Sequence, residues 1–280
     1  MVAWLFALLA LLASSLYLPV HSNVQALVGN ALGHSPHQHT SRILLLTAHP
    51  DDECFFFAPT ILALQQDTSN PELFSLCLSI GNADGLGELR KAELHRSLDV
   101  MGIGHNKRWV VDHPMLQDNM TANWDASVIA QVVAPYVVDN HITTILTFDK
   151  QGISSHPNHY SLHYGAYQLI NSMSLKASTP SSIPRVFSLV TVPVFPKYVG
   201  IVSALLARLD ILLARALVSF ASSNLPPSLP VFTSGFKEYV TAARAIRQHD
   251  SQLVWFRYLY MAFSRYMWVN EWMEVEPNVM

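Results

Sequence analysis

Charge is scarce in this chain. Only 13% of its 280 residues are Asp, Glu, Lys or Arg, against about 25% in ordinary soluble proteins. The formal net charge of −3 leaves no basic surplus to recommend nucleic acid as a partner. Cysteine is scarcer still: Cys54 and Cys77 are the whole complement. Two cysteines cannot build a disulfide framework, and Cys77 lies in an apolar run that suits burial. No charged residue of either sign precedes Arg42, so the basic start of a usual secretory leader is missing. No GxGxxG follows the first strand-like run, which removes the dinucleotide-binding signature.

Apolar residues fill the space that charge leaves. Half the chain is hydrophobic and the mean hydropathy is +0.24, which implies that some apolar surface faces lipid. Residues 1–20, MVAWLFALLALLASSLYLPV, match the roughly 20 residues a helix needs to cross a bilayer, and the expectation is an uncleaved membrane anchor. A cleaved signal peptide ending at Ala13-Ser14-Ser15 is the competing reading. Residues 21–41 read as a linker, whose His34, His37 and His39 form either a metal-binding tract or a solvated tether.

From residue 42 short apolar runs alternate with helical patterns. Strands are expected at 43–48, 74–80, 109–111 and 142–148, and helices at 55–64, 88–101 and 125–139. Such alternation predicts an α/β fold, a Rossmann-like doubly wound and mostly parallel sheet with helices on both faces. In such sheets ligands bind beyond the carboxyl ends of the strands. Two polar clusters fall there: Ala48-His49-Pro50-Asp51-Asp52-Glu53 after the first run, and His156-Pro157-Asn158-His159 after the last.

The residue types define a chemistry. His49 and Asp52, three apart past a strand, can reach one ion, and His159 supplies a third protein ligand. Two imidazoles and a carboxylate with an open position form a catalytic zinc arrangement. Asp51 is the carboxylate available as general base, and His156 can hold a developing oxyanion or protonate a leaving amine. Together the parts describe metal-assisted amide hydrolysis. Taken singly, each residue has a blander reading: Asp51 or Glu53 as a helix cap, Asn158 as a cap or solvent-facing side chain, His163 on a helix surface.

AHPDDE after a strand, then GLGELRKAEL, then TFDKQGISSHPNH resembles the LmbE-like deacetylase superfamily over roughly residues 42–170. The later run from His249-Asp250-Ser251-Gln252 to Met267 is similar to its eukaryotic branch, the N-acetylglucosaminyl-phosphatidylinositol de-N-acetylases of glycosylphosphatidylinositol (GPI) anchor biosynthesis. The resemblance implies a hydrolase that is zinc-dependent, or uses another divalent cation. It also implies a glycolipid substrate and an endoplasmic-reticulum membrane location, with one N-terminal span and a cytosolic catalytic domain at 42–280. It assigns His49, Asp52 and His159 to the metal, Asp51 to the base, His156 to transition-state stabilisation, Arg90 to substrate, and Asp149 to orienting a histidine ligand. Asn158 stands where many bacterial relatives carry Asp, so a charge that would tune His156 is absent.

A lipid-linked substrate would account for two further segments. Residues 198–221 are apolar but interrupted by Arg208, Asp210 and Arg215, which suits an interfacial helix better than a spanning one. A buried hairpin is the alternative. Residues 251–268 are rich in aromatics and are expected to face the membrane or to fill the core. Two other functions remain open: a deacetylase of another N-acetylglucosamine conjugate, and a non-catalytic, membrane-tethered binding protein.

Overall fold

The computed structural model describes residues 14, 16–29, 40–175, 183–220 and 229–276. Its centre is an eight-stranded sheet, in chain order β1 (Val20–Ser22), β2 (Arg42–Thr47), β3 (Glu72–Cys77), β4 (Arg108–Val110), β5 (Thr144–Phe148), β6 (Arg185–Leu189), β7 (Val231–Thr233) and β8 (Val269–Val275). The spatial order is β1-β7-β8-β6-β5-β2-β3-β4. Strands β4, β3, β2, β5 and β6 run parallel, in register Ile43 with Thr144 and Leu44 with Phe74. After its first residue β2 is buried throughout, and β5 is buried along its whole length. That is why these runs are continuously apolar rather than alternating.

The helices are α1 (Gln25–Val28), α2 (Asp52–Phe55), α3 (Ala58–Leu64), α4 (Gly87–Val100), α5 (Ala126–Asp139), α6 (Gly152–Ser155), α7 (Pro157–Ser174), α8 (Val194–Lys197), α9 (Ile201–Phe220), α10 (Phe236–Ile246) and α11 (Trp255–Phe263). α2, α3 and α4 pack with α10, while α5 packs with α7. Right-handed crossovers place these two groups on opposite faces of the sheet. From β2 the chain crosses to β3 on one side, and from β5 it crosses to β6 on the other. The gap between β2 and β5 is therefore the topological switch point, where open α/β sheets bind ligands.

Three findings modify the sequence expectation. The sheet is mixed: β8, β7 and β1 are antiparallel additions beyond β6. Residues 20–28 are not linker. β1 pairs with β7, Leu27 is fully buried, and Arg185 donates to the Ala26 carbonyl at 2.5 Å. Leu16 is buried as well, so the end of the expected 1–20 anchor belongs to the folded body. Residues 1–13 and the histidines His34, His37 and His39 lie outside the described residues, and no helix among the described residues is long and apolar enough to cross a membrane.

Candidate active site

Two loops at the switch point build the site. After β2 the chain turns sharply, with Asp51 at φ 108°, a conformation that costs a non-glycine residue energy and that the surroundings must impose. Its N–H is taken by the Glu53 carboxylate at 3.0 Å. That carboxylate also accepts Ser97 Oγ–H at 2.5 Å and faces His249 Nε2 at 2.8 Å. Glu53 and His249 are both fully buried. Burial alone would neutralise them, but the pair lowers the Glu53 pKa and raises that of His249. After β5 the second loop holds Gly152, Ile153 and Ser155 at positive φ. A Cβ on Gly152 would sit 2.9 Å from both His159 Cβ and the Tyr160 nitrogen.

These loops bring His49, Asp52 and His159 together. His49 Nδ1 lies 3.3 Å from His159 Nε2, which lies 3.2 Å from Asp52 Oδ1. Tetrahedral ligands about 2.0–2.1 Å from a zinc ion stand about 3.3 Å from one another, so the spacing fits a shared divalent cation. Asp52 Oδ2 accepts the Ala48 and His49 N–H groups at 3.0 and 2.9 Å. Burial would raise the Asp52 pKa, but His159, His49 and these N–H groups hold it well below the carboxylate range.

The neighbours of each ring set its tautomer. His159 Nδ1–H points at the Gly152 carbonyl, 3.3 Å away, and the ring stacks on Phe148 at 4.2 Å and 1°. Its Nε2 lone pair therefore faces the cation position. His49 Nε2 meets two acceptors, Asn158 Oδ1 at 3.0 Å and Asp118 Oδ1 at 3.3 Å, which leaves Nδ1 free to ligate. Burial pushes the His49 pKa down. For His159, burial opposes charging most strongly of any one cause, but the Asp52 charge and the hydrogen bonds to Asp52 and the Gly152 carbonyl together outweigh it, and its pKa rises.

His156 is the N-cap of α7, and its Nδ1 accepts the Asn158 N–H at 3.2 Å. Its ring centroid is 4.8 Å from those of both His49 and His159. Burial, followed by those two histidines, pushes its pKa down to about 4. At neutral pH it is thus an uncharged imidazole whose proton sits on Nε2. The Asp51 carboxylate pairs with Arg257 Nη1 of α11 at 2.5 Å. Arg90 donates to the Gly81 carbonyl at 2.8 Å and to Asp118 at 3.2 Å.

Several placements differ from the sequence reading. Asn158 is fully buried, and its side chain serves His49; only its backbone N–H reaches His156. His163 is half-buried against Ser188 Oγ at 3.0 Å. Asp149 touches neither ligand histidine. It binds the Gln151 and Gly152 N–H groups and Thr191, so it holds the loop whose Gly152 carbonyl orients His159. Asp118, Phe148, Glu53, His249 and Arg257 were not assigned to the site. His249 and Arg257 lie in the run similar to the eukaryotic branch, and Glu53 and Phe148 within the two quoted motifs, which are the available signals; Asp118 sits in a loop whose sequence carries none.

The family model described as PIG-L: GlcNAc-PI de-N-acetylase matches residues 44–170. The N-acetylglucosaminyl-phosphatidylinositol de-N-acetylase of Bos taurus is 38% identical over 230 residues, covering 82% of each chain. The chain belongs to the PIG-L family. A probable enzyme of the same name from Schizosaccharomyces pombe is 35% identical, covering 80% of this chain and 83% of its own. The fold resembles that of N,N'-diacetylchitobiose deacetylase from Pyrococcus horikoshii, with a TM-score of 0.55 at 13% identity over 86% of this chain and 85% of that one. All the PIG-L site residues assigned from sequence lie within the matched 44–170 segment, whereas His249 and Arg257 reach the site from beyond it.

Proposed function

We propose that this chain is the hydrolase that removes the acetyl group from N-acetylglucosaminyl-phosphatidylinositol, giving glucosaminyl-phosphatidylinositol and acetate in the second step of GPI-anchor biosynthesis. The observation that carries this reading is the convergence of three donor groups: His159 Nε2 lies 3.3 Å from His49 Nδ1 and 3.2 Å from Asp52 Oδ1, and His49 Nδ1 lies 4.0 Å from Asp52 Oδ2, beside a carboxylate and a neutral imidazole not used for ligation. His49, Asp52 and His159 would hold a divalent cation, zinc by the resemblance. When bound, such an ion polarises the amide carbonyl and acidifies water.

The remaining residues act on protons and position. Asp51 takes the proton of the attacking water, and Arg257 fixes which way its carboxylate points. As the carbonyl carbon becomes tetrahedral, the Nε2–H of His156 donates to the developing oxyanion. Collapse breaks the C–N bond, and the proton held by Asp51 passes to the leaving amine. The water oxygen leaves in acetate, and the amine stays on the sugar. Arg90, partly open beside Asp118, would contact the sugar or its phosphate, and Asp149 supports His159 through Gly152. The glycolipid substrate supports a location at the endoplasmic-reticulum membrane, with the apolar N-terminal segment as anchor and the catalytic body in the cytosol.

Purified full-length protein with synthetic N-acetylglucosaminyl-phosphatidylinositol tests the reading. Acetate release is expected, is abolished by a chelator and returns on adding zinc. Release that persists after metal removal would exclude the mechanism.

A further inference from the structure

One surface is not used by the chemistry. α9 buries Ala204, Ala207 and Ile211 but turns Leu206, Leu209, Leu213 and Leu217 outward, each more than half exposed. Steps of three and four residues make these a single stripe. Beside it α11 presents Trp255, Phe256, Leu259 and Phe263, with Trp255 75% exposed. The segment leading into α9 meets α11: the Gly200 N–H donates to the Phe263 carbonyl at 2.7 Å, and Tyr198 and Tyr260 pack edge-on at 6.4 Å. An exposed apolar face of this extent marks an interaction site.

Three observations identify what covers it. First, the uncharged residues 1–13 lead into the body at Leu16, whose carbonyl accepts the Phe236 N–H at 3.1 Å, and Arg215 of α9 donates to the His21 carbonyl at 2.8 Å. The most apolar part of the sequence thus joins the fold between α9 and α10. Second, the exposed face of α10 mixes Phe236 and Val240 with Lys237 and Arg244, and exposed Arg247 follows at its end, a combination that suits anionic headgroups over acyl chains. Third, α11 carries both the exposed Trp255 and the Arg257 that holds Asp51, so this face and the reacting groups share one helix.

We propose that the outward faces of α9 and α11 dock into the headgroup region of a phospholipid bilayer, setting the cation site at the membrane surface so that a lipid-linked substrate reacts without leaving the bilayer. This rests on the glycolipid reading above. Trp and Tyr at such a face favour the interface, and the charges of α9 argue against its crossing.

The test uses the full chain in vesicles of phosphatidylcholine and phosphatidylinositol. Both native cysteines are buried, so a bimane probe reports on single variants Leu213→Cys, Trp255→Cys and, as reference, Leu175→Cys at the end of α7 remote from His159. Nitroxide-labelled lipids are expected to quench the first two at least about twofold more than the third. Equal quenching at all three positions, or probe self-association showing that a second copy covers the face, would overturn the proposal. Acetate release is read in the same vesicles. Turnover without differential quenching defeats the docking face and leaves the enzymatic reading standing. Quenching without turnover supports docking and counts against that reading. The double variant Leu209→Ser with Leu213→Ser is expected to lose about tenfold in turnover on vesicles but nothing on a water-soluble acyl-free headgroup; equal loss on both also overturns the proposal.

Discussion

Asp51 and Asp52 are adjacent and chemically alike, yet the fold gives them opposite work. Asp52 is spent on two backbone N–H groups and His159, which fixes it in place as the proposed ligand. Asp51, turned the other way by its left-handed backbone, meets only Arg257 among the charged side chains of the described residues within ion-pair distance. The two should therefore fail differently. Asp51→Asn is expected to lower kcat about 10²- to 10⁴-fold, the usual range for a general base, with bound metal unchanged by elemental analysis. Asp52→Ala is expected to lose the metal as well. Equal metal loss in both variants would contradict the division of roles. Asn158 shows the same economy: one side chain sets the His49 tautomer while its own N–H sets that of His156.

At the scale of elements, the site depends on how closely helices approach. Gly165 of α7 faces Ile129 of α5, and a Cβ there would lie 2.2 Å from Ile129 Cγ2. Neither a buried helix nor the sheet beneath can yield that distance freely. Gly165→Ala is expected to destabilise the protein by about 1–3 kcal/mol, the usual cost of overpacking, read as a lower Tm. The added variant Ile129→Ala should recover part of the loss. An unchanged Tm in the single variant would mean that α5 and α7 separate easily. Because α7 begins at His156 and His159, the same packing carries both rings toward β2.

Across the whole molecule, the buried Glu53–His249 pair ties the C-terminal segment to the loop of Asp51. Ser97 of α4 and Gln252 also face it, at 2.5 and 3.0 Å, and the charges of Asp51 and Glu93 act on His249. His249 has its pKa raised above the ordinary 6.5, so its contribution is complete below that value and is lost as pH rises through the raised one. Glu53 is lowered from the ordinary 4.5, so its contribution is present above that value and is lost as pH falls. The pair therefore stabilises most between about pH 4.5 and 6.5. Thermal unfolding should show Tm declining above that window in the native protein, and a flatter, lower curve in His249→Gln. Parallel curves for the two proteins would show that the pair does not titrate with folding.

The sequence alone determined the alternating α/β order, the parallel centre of the sheet, and the meeting of His49, Asp52 and His159 with His156 beside them. Those features are legible because each is local: an apolar run is a buried strand wherever it lies, and His-Pro-Asp-Asp after one must stand at its carboxyl end. Most bounds shifted by a residue or two, as with β2 at Arg42–Thr47, but the strand expected at 74–80 ends at Cys77 and the helix expected at 55–64 is two, Asp52–Phe55 and Ala58–Leu64. Tertiary structure decided what depends on distant segments meeting. It supplied the antiparallel edge of β8, β7 and β1, the docking of residues 16–28, and Asp118 behind His49. It also decided that Asn158 serves His49, and that His249 and Arg257, about 200 residues from the loop they hold, complete the site. Contacts of that span leave no periodicity in the chain, because side chains converge in space only after the sheet has ordered the loops at its edge.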